Sequence, residues 1–379
     1  QDQSVLAPLR PPHLAYYSFS ESMHRNLPEW CEQGRLAEHL GSCPEAGKAQ
    51  DDHKRVPLHY LCGSKKVTKE LLAEYLSGCS EAGTAEDKFG EVPLHYLCKN
   101  KKVTKELVAE YLKNCLQAGI AENRSGEVSL HYLCENSAVT KELVAEYLQG
   151  CSKAGAAKSK NGEVPLHYLC GNNAVTKELV AEYLKACPLA GSAENFSGQV
   201  PLHYLCGNNK VTQELVAEYL RICREAGTAK DINERVPLHY LCENEEVTGY
   251  VEAGTAKNFN GKVPLHNGKV PLHYLCENNA VKKELVAEYL KGCPQAGTAE
   301  SDFGEVPLHS LCENNAVTQE LVAEYLKGCR EAGVAKNRLD RVPMHILCEN
   351  SAVTKELVAE YLQVCPRAGT AKTVNQRVP

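Results

Sequence analysis

The sequence has no long apolar segment and no excess of positive charge. No apolar run approaches the roughly 20 residues that a membrane-spanning helix needs. The 379 residues carry 42 Lys and Arg against 48 Asp and Glu, a formal net charge of -6, and the two signs are interspersed. This balance argues against nucleic acid and anionic membranes as partners, because both favour basic patches. We therefore predict a soluble protein that does not insert into a membrane.

Catalytic and targeting signals are also missing. The sequence has no glycine-rich phosphate loop, no H-E-x-x-H and no G-x-S-x-G, so nothing in it predicts an enzyme, a cofactor or a metal. It starts at Gln1 without a charged or apolar leader segment. It stops at Arg377-Val378-Pro379, the opening of the repeat described next, so we expect the natural array to be longer.

The dominant feature is a 36-residue repeat from Val56 to the end of the chain, typical of stacked repeat proteins. We predict a non-repeating arm at 1–28 and a single all-α solenoid at 29–379. The solenoid has an incomplete first repeat at 29–55, nine repeat openings from residue 56, a defective repeat at 236–269 and a truncated one at 377–379. Cysteines mark the period: Cys62, Cys98, Cys134, Cys170, Cys206 and Cys242 are 36 residues apart, as are Cys276, Cys312 and Cys348.

Each repeat is predicted to form two helices and a hairpin. A short first helix begins at the Pro of P-L-H, because proline suits the first helical position. A Thr such as Thr176 caps the second helix, and Glu follows two residues later near its positive end. The apolar stripe of that helix is illustrated by Leu179, Val180, Tyr183, Leu184 and Cys187. Asn161-Gly162 is typical of a two-residue hairpin turn.

This order of elements resembles the ankyrin repeat, whose opening is T-P-L-H-x-A and whose period is about 33 residues. Here the period is 36, Val replaces the Thr before Pro, and Val128-Ser129-Leu130 and Val342-Pro343-Met344 deviate further. The resemblance implies a divergent ankyrin-like fold of stacked helix-turn-helix repeats with short β-hairpin connections. It also implies that the histidine of each opening is structural and hydrogen-bonds between neighbouring turns.

One repeat, between Val236 and Lys262, lacks nine residues of its second helix and is followed by a duplicated heptad at 260–266 and 267–273. The lost apolar side chains, at about 1.5 to 3 kcal/mol each, rival the net stability of a small domain. Either the solenoid is kinked or split here, or the sequence contains an error, which is the alternative we favour.

The 19 cysteines admit two interpretations. In a secreted protein they would form disulfides, but the two cysteines of one repeat should lie ~10 Å apart, beyond disulfide reach. Buried free thiols in a reducing compartment are favoured. The pair His167-x-x-Cys170 would suit half of a metal site or a nucleophile pair. It recurs in nine repeats, however, which favours a structural role.

A partner surface must lie where repeats differ, and the hairpin tips differ most. Each tip is a run of three residues, at 87–89, 123–125, 159–161, 195–197, 231–233, 258–260, 301–303 and 337–339. Four of the five phenylalanines are at tips, where they are either anchors for a partner or packed onto the next hairpin. The tyrosines after His are predicted to form a ladder with hydroxyls on the concave face. The candidate partner-binding residues are Phe89, Phe196, Phe259, Phe303, Lys88, Arg124, Lys160, Ile232, Arg338, Leu339, Tyr96, Tyr132, Tyr168 and Tyr204.

Two functions remain open. The first is a non-catalytic, cytoplasmic scaffold that binds a protein partner through tips and concave face. Near-identical repeats favour a long or repetitive partner, such as a filament or a second copy of the chain. The alternative is a secreted or cell-surface structural array, supported by Gln1 as a mature start and by glycosylation sequons at Asn123 and Asn195.

Overall fold

The computed structural model describes residues 44–243 and 269–379. These residues form two compact units. The N-terminal unit contains residues 44–174 and 185–187, and the C-terminal unit contains residues 175–184, 188–243 and 269–379. The predicted arm at 1–28, residues 29–43 of the incomplete repeat, most of the defective repeat and Phe259 lie outside the described residues. The predicted division of the chain into arm and single array stays a prediction.

The N-terminal unit is a stack of helix pairs joined by 3-10 turns. Its helices are α1 (Pro57–Gly63), α2 (Lys69–Gly78), α3 (Pro93–Lys99), α4 (Lys105–Asn114), α5 (Ser129–Glu135), α6 (Lys141–Gly150) and α7 (Pro165–Gly171). Five-residue 3-10 segments follow the second helices at Ser80–Thr84, Leu116–Ile120 and Ser152–Ala156, and another opens the described chain at Pro44–Lys48. Helix α8 (Lys177–Ala186) contributes residues to both units.

The C-terminal unit repeats the same elements. Its helices are α9 (Pro201–Gly207), α10 (Gln213–Ile222), α11 (Pro237–Glu243), α12 (Pro271–Glu277), α13 (Lys283–Gly292), α14 (Pro307–Glu313), α15 (Gln319–Gly328), α16 (Pro343–Glu349) and α17 (Lys355–Val364). Its 3-10 segments are Pro188–Ser192, Arg224–Thr228, Pro294–Thr298, Arg330–Val334 and Pro366–Thr370.

The first helices begin where the sequence predicts. Val56 is extended, with φ -87° and ψ 161°, and Pro57 is the first helical residue. An extended residue is what a following proline requires, and the missing N–H of proline costs nothing at this position. The first helix therefore begins at the equivalent position in every described repeat, including that of Ser129, where the helix forms without proline.

The second helices are capped by threonine, as predicted. Thr104 Oγ1 accepts a hydrogen bond from the N–H of Leu107 at 3.4 Å, and the same bond is made by Thr68, Thr140, Thr176, Thr212, Thr318 and Thr354. Helix α13 differs, because Lys282 stands at its N-cap and makes no side-chain cap hydrogen bond. This helix consequently lacks a contact worth about 1 kcal/mol.

Helices pack in two layers within each unit. In the N-terminal unit α3 packs between α1 and α5, and α4 packs between α2 and α6; in the C-terminal unit α14 packs between α12 and α16, and α15 between α13 and α17. The predicted stripe of Leu179, Val180, Tyr183, Leu184 and Cys187 is buried. Within each unit, the predicted all-α stack of helix pairs is confirmed.

The connections between repeats are tight turns rather than β-hairpins. Apart from an isolated bridge at Lys269, no strand occurs in the described ranges. In the turn at 87–91 the Asp87 N–H donates to Glu91 O, and the Gly90 N–H donates to Asp87 O. Gly90 has φ +74°, whereas the predicted Asn-Gly turn would need two left-handed residues. The left-handed position is filled by Lys54, Glu234, Asp340 and Gln376 where glycine is absent.

The first-helix layer of the C-terminal unit continues across the defective repeat. Helix α11 packs against α12, the rings of His239 and Tyr274 meet edge to face at 5.4 Å, and Asn278 Nδ2 donates to Cys242 O at 3.0 Å. Of the two duplicated heptads, the second supplies Pro271 as the first residue of α12. The shortened repeat therefore keeps its first-helix contact with the next repeat.

Candidate functional site

Histidines of the repeat openings link one repeat to the next. His59 Nδ1 accepts from the N–H of Val56 at 3.0 Å, and its Nε2 lies 3.0 Å from Glu91 O in the next turn. Because Nδ1 must accept, the proton is on Nε2, which donates to the carbonyl. The predicted structural role is confirmed. Equivalent bonds, one from the N–H of the opening Val and one to a carbonyl of the next repeat, are made by His95, His131, His203, His273, His309 and His345.

Burial fixes the charge state of these histidines. It lowers the pKa of His59, His95 and His131 in the N-terminal unit, although the hydrogen bond to the neighbouring carbonyl opposes the shift. The same holds for the pKa of His203, His273 and His309 in the C-terminal unit. The rings are neutral at pH 7 and both nitrogens are engaged, so they are poorly placed for proton transfer.

Two further side chains link neighbouring repeats. Asn136 Nδ2 donates to Cys98 O at 2.8 Å and to Asn100 O at 3.0 Å, fixing the loop between the two helices of the preceding repeat. The buried Tyr111 hydroxyl donates to Gly83 O at 2.9 Å. Tyr75, Tyr147, Tyr219, Tyr325 and Tyr361 make the same bond to a glycine 28 residues earlier. Sequence reasoning placed such tyrosines in the core but missed this hydrogen bond.

Apolar side chains project from the tips into solvent. The exposed fraction is 64% for Phe89 in the N-terminal unit. In the C-terminal unit it is 77% for Phe196, 71% for Ile232, 65% for Phe303 and 61% for Leu339. These values do not support the alternative in which each Phe packs onto the next turn.

Backbone hydrogen bonds hold the tips together. The Arg124 N–H donates to Phe89 O at 2.8 Å, and the Lys160 N–H donates to Ser125 O at 2.7 Å. In the C-terminal unit the Ile232 N–H donates to Ser197 O and the Arg338 N–H to Phe303 O. These tips are therefore joined to their neighbours through the backbone, and their outermost side chains project from hydrogen-bonded turns.

The tyrosine ladder lies on the first helices, with each hydroxyl held by the adjacent tip. Tyr96 Oη donates to Asp87 Oδ2 at 2.7 Å, and Tyr132 Oη donates to Glu127 Oε2 at 2.6 Å. Tyr168 Oη reaches Glu127 Oε1 at 2.7 Å, and Tyr204 Oη accepts from Asn195 Nδ2 at 3.1 Å. Burial, followed by the hydrogen bonds to acidic groups, raises the pKa of Tyr96, Tyr132 and Tyr168. The hydroxyls therefore remain neutral hydrogen-bonding groups.

Cations lie over several ladder rings. Lys99 Nζ is 4.1 Å from the centroid of Tyr132, and the Arg235 guanidinium is 4.3 Å from that of Tyr240. At this range the ring face attracts the cation. The first-helix face thus offers aromatic rings, carboxylates and cations side by side, a composition suited to a polar protein surface.

The two glycosylation candidates are almost buried. Asn123 is 9% exposed, and its Nδ2 donates to Tyr132 Oη at 2.8 Å and to Glu127 Oε2 at 3.1 Å. Asn195, also 9% exposed, donates to Tyr204 and to Gln199. A glycan on either amide would break these bonds, so glycosylation is not part of the function proposed below.

The described cysteines are free thiols. Burial raises the pKa of first-helix thiols such as Cys62, Cys98 and Cys134, and of second-helix thiols such as Cys115. Protonated thiols are weak nucleophiles and weak metal ligands. Within residues 44–243 and 269–379, His, Cys, Asp and Glu form no group of three that would hold a metal ion. No helix in the same ranges has the length and hydropathy to cross a membrane.

Sequence reasoning missed one variable surface. The loops between first and second helices carry Lys65-Lys66 and Lys101-Lys102 in the first two described repeats, where later repeats have Ser137-Ala138 and similar pairs. All four lysines are exposed. Aligning the loops as well as the tips would have revealed the difference.

Comparisons with known proteins give a likeness of fold. No protein-family model matches the sequence, and no curated protein matches it. A solved structure that it resembles is the ankyrin repeat domain of Bcl-3, described as a unique member of the IkappaB protein family. The identity is 18%, the TM-score is 0.46, and the match covers 62% of this chain and 98% of that one. The described chain is an all-α protein of stacked helix pairs, and its repeats resemble ankyrin repeats.

Proposed function

We propose that the chain is a non-catalytic scaffold that binds a protein partner through its tips and the adjoining first-helix face. The observation that carries this proposal is the set of exposed apolar side chains on rigid tips. Large apolar groups in water favour burial against a partner, at roughly 25 cal/mol for each Å² of apolar surface removed from solvent.

The apolar tips are neighbours in the C-terminal unit. Phe196 and Ile232 occupy the second position of two consecutive tips, and Phe303 and Leu339 occupy the third position of two others. The backbone bond from Arg338 to Phe303 keeps the latter two tips together. Paired apolar groups on fixed neighbours form anchor sites with little loss of conformational entropy on binding.

The first-helix face beside the tips provides a polar rim around their apolar side chains. Tyr204 and Tyr240 present rings whose hydroxyls are held by Asn195 and by Asp231, and Arg235 lies over the Tyr240 ring. An apolar centre bordered by polar aromatic residues is the usual composition of a protein–protein interface. The repetition of this surface favours a long or repetitive partner, including a second copy of the chain.

The state of the histidines and cysteines supports a non-catalytic function. Both ring nitrogens of His131 are engaged by the backbone, and the adjacent thiol of Cys134 is kept protonated by burial. Such a pair has neither a free base nor a thiolate. Buried free thiols also suit a reducing compartment, and we propose a cytoplasmic location.

The test is a capture experiment with the full chain in which tip side chains are replaced by residues that other tips contain. Phe89→Ser and Phe303→Ser copy Ser125 at the same tip position, and Phe196→Lys copies Lys88. We expect the triple variant to fold normally and to lose the proteins captured by the unaltered chain, as measured by quantitative mass spectrometry.

Leu189→Ser is the matched control. Leu189 is 81% exposed but lies in the 3-10 segment Pro188–Ser192, away from the tips. Its replacement removes a comparable apolar group and should leave capture unchanged. Retention of every captured protein by the triple variant, or equal loss with the control, would show that the tips are not the binding surface.

A further inference from the structure

The loops between first and second helices are strongly basic in two neighbouring repeats of the N-terminal unit. The segments 65–70 and 101–106 each contain three lysines and one glutamate, a net charge of +2. In the other seven repeats the same segment has a net charge between -2 and +1, and the whole chain has -6. Positive charge is therefore concentrated in these two loops, although the chain as a whole is negative.

The backbone that carries these lysines is fixed by the following repeat. Asn100 Nδ2 donates to Cys62 O at 2.9 Å and to Ser64 O at 2.8 Å, on either side of the first helix end. Asn136 holds the second loop in the same way, through Cys98 O and Asn100 O. The two lysine pairs are thus held in a defined register, one repeat apart.

Several of these charges are not neutralised within the described chain. Lys69 Nζ lies 3.8 Å from Glu110, and Lys105 Nζ lies 3.9 Å from Glu106. Lys65, Lys101 and Lys102, in contrast, form no ion pair with any described residue. Their ammonium groups are exposed and available to an external anion.

We propose that Lys65, Lys66, Lys101 and Lys102, here called the lysine ledge, bind an extended acidic segment of a partner protein. Neighbouring first helices pack about 10 Å apart, which sets the separation of the two lysine pairs. An extended peptide rises about 3.3 Å per residue, so carboxylates three residues apart match that separation. Two adjacent acidic residues, repeated at this spacing, would meet both pairs.

The surroundings of the ledge favour an acidic peptide over a nucleic acid. Glu70 and Glu106 are exposed beside it and would repel a phosphate backbone of uniform charge. Nucleic-acid binding also depends on many phosphate contacts, whereas the basic segments span only two repeats. A short peptide can place its carboxylates on the lysines and avoid both glutamates.

The ledge uses none of the tip residues in the function proposed above. Loss of binding at one surface consequently does not imply loss at the other, and the two proposals fail separately. The ledge variant should still capture partners through its tips, and the tip variant should still bind an acidic peptide.

The experiment uses the full chain and a fluorescein-labelled peptide, Gly-Glu-Glu-Gly-Glu-Glu-Gly, with binding followed by fluorescence anisotropy. The ledge variant is Lys65→Ser, Lys66→Ala, Lys101→Ser and Lys102→Ala, which copies Ser137 and Ala138 of the next repeat. We expect its affinity for the peptide to fall about tenfold or more, since four exposed charge pairs are lost. Affinity of the unaltered chain should fall as salt is raised.

A charge-matched control removes four other lysines of the N-terminal unit, with Lys88, Lys153, Lys158 and Lys160 each changed to Ser. It should bind the peptide as the unaltered chain does. In the opposite direction, Ser137→Lys with Ala138→Lys should tighten binding of a peptide extended by one more Gly-Glu-Glu. This gain cannot arise from misfolding.

Three results would overturn the proposal. The ledge variant could keep its affinity, the control could lose as much as the ledge variant, or a single-stranded oligonucleotide of equal charge could bind more tightly than the peptide. The last result would assign the ledge to nucleic acid instead.

Discussion

The N-terminal and C-terminal units have the same internal contacts and different surfaces. In both, His, Asn and Tyr side chains bond to the backbone of a neighbouring repeat. The tips differ, however: Lys88, Arg124 and Lys160 follow one another in the N-terminal unit, whereas apolar side chains dominate in the C-terminal unit. Only the N-terminal unit has the lysine ledge.

The residue before each opening Val shows the same divergence. It is Glu91, Glu127 and Glu163 in the N-terminal unit after an initial arginine. In the C-terminal unit it is Gln199, Arg235, Lys269, Glu305, Arg341 and Arg377. The histidine links use the backbone carbonyl at this position, so they do not depend on the identity of its side chain. That side chain makes contacts of its own, such as the one between Glu127 and Tyr168 of the next repeat. The carbonyl of this residue is therefore a constant contact, whereas its side chain varies between repeats.

The largest expected effect is a loss of stability at acidic pH, and it tests whether the internal contacts of the two units are equivalent. Six buried histidines with lowered pKa, three in each unit, are neutral when folded. Below the ordinary histidine pKa of 6.5 the unfolded chain binds more protons than the folded chain, so stability falls as the pH is lowered. The urea midpoint of each unit should therefore be lower below pH 6.5 than above it, and the decrease should be similar in the two units.

His53→Ser is the control for this acid effect, because His53 is exposed at a tip. It should leave the pH dependence unchanged, while His131→Asn should reduce it. An unfolding midpoint independent of pH would contradict the proposed neutral, doubly bonded histidines.

A second test compares glycines that face the next repeat with one that does not. A Cβ atom at Gly297 would lie 2.7 Å from both Cβ and Sγ of Cys329, and one at Gly83 would lie 2.7 Å from Cys115 Sγ. At Gly227 the nearest atom is the flexible end of Leu220 at 2.9 Å. We expect Gly83→Ala and Gly297→Ala each to lose about 1–3 kcal/mol, and Gly227→Ala to lose less.

Urea unfolding followed by circular dichroism measures all three glycine variants. Equal losses at Gly83 and Gly297 would show that the two units pack their repeats in the same way. A loss at Gly227 as large as the other two would mean that contact with the next cysteine is not the cause.

Ser129→Pro should raise the stability of the N-terminal unit by about 1 kcal/mol. The Ser129 hydroxyl is buried without a hydrogen-bond partner among the described residues. Its polar neighbour Tyr147 donates to Gly119 O instead. Proline at this first helical position removes the unpaired hydroxyl and restricts the unfolded chain. Thermal unfolding measures the gain, and the reverse change Pro165→Ser should cause a similar loss; no shift in either variant would refute the argument.

Lys282→Thr should stabilise the C-terminal unit by up to about 1 kcal/mol. Lys282 already has the extended backbone of an N-cap, with φ -116° and ψ 145°, close to that of Thr318. Threonine would add a side-chain acceptor for the N–H of Leu285, which donates to Lys282 O at 3.1 Å. The matched reversal, Thr318→Lys, should lower the urea midpoint by a similar amount, and an unchanged midpoint in both would exclude a capping effect.

Sequence reasoning captured the contacts that depend on local pattern. Pro57 begins its helix and Thr104 caps the next one because each effect acts within one turn. The resemblance to the ankyrin repeat also identified the structural histidine. Contacts that need the stacking geometry were missed, such as the bond from Tyr111 to Gly83.

The tips were predicted less well for a physical reason. Asn161-Gly162 suggested a two-residue hairpin turn, but the turn at this tip needs only one left-handed residue, Gly162. Glu234 adopts the same conformation without being glycine, so no residue type marks the position. Partner residues on the tips remain predictions, since exposure alone does not identify what covers them.

The shortened repeat shows what the links between repeats permit. Helix α11 meets α12 through a histidine–tyrosine ring contact and an asparagine hydrogen bond that also occur between complete repeats, although 34 residues instead of 36 separate Pro237 from Pro271. Contacts between successive first helices are therefore kept where the chain between their openings is two residues shorter, and the second-helix contacts of complete repeats, such as that of Tyr111 with Gly83, are not needed for them.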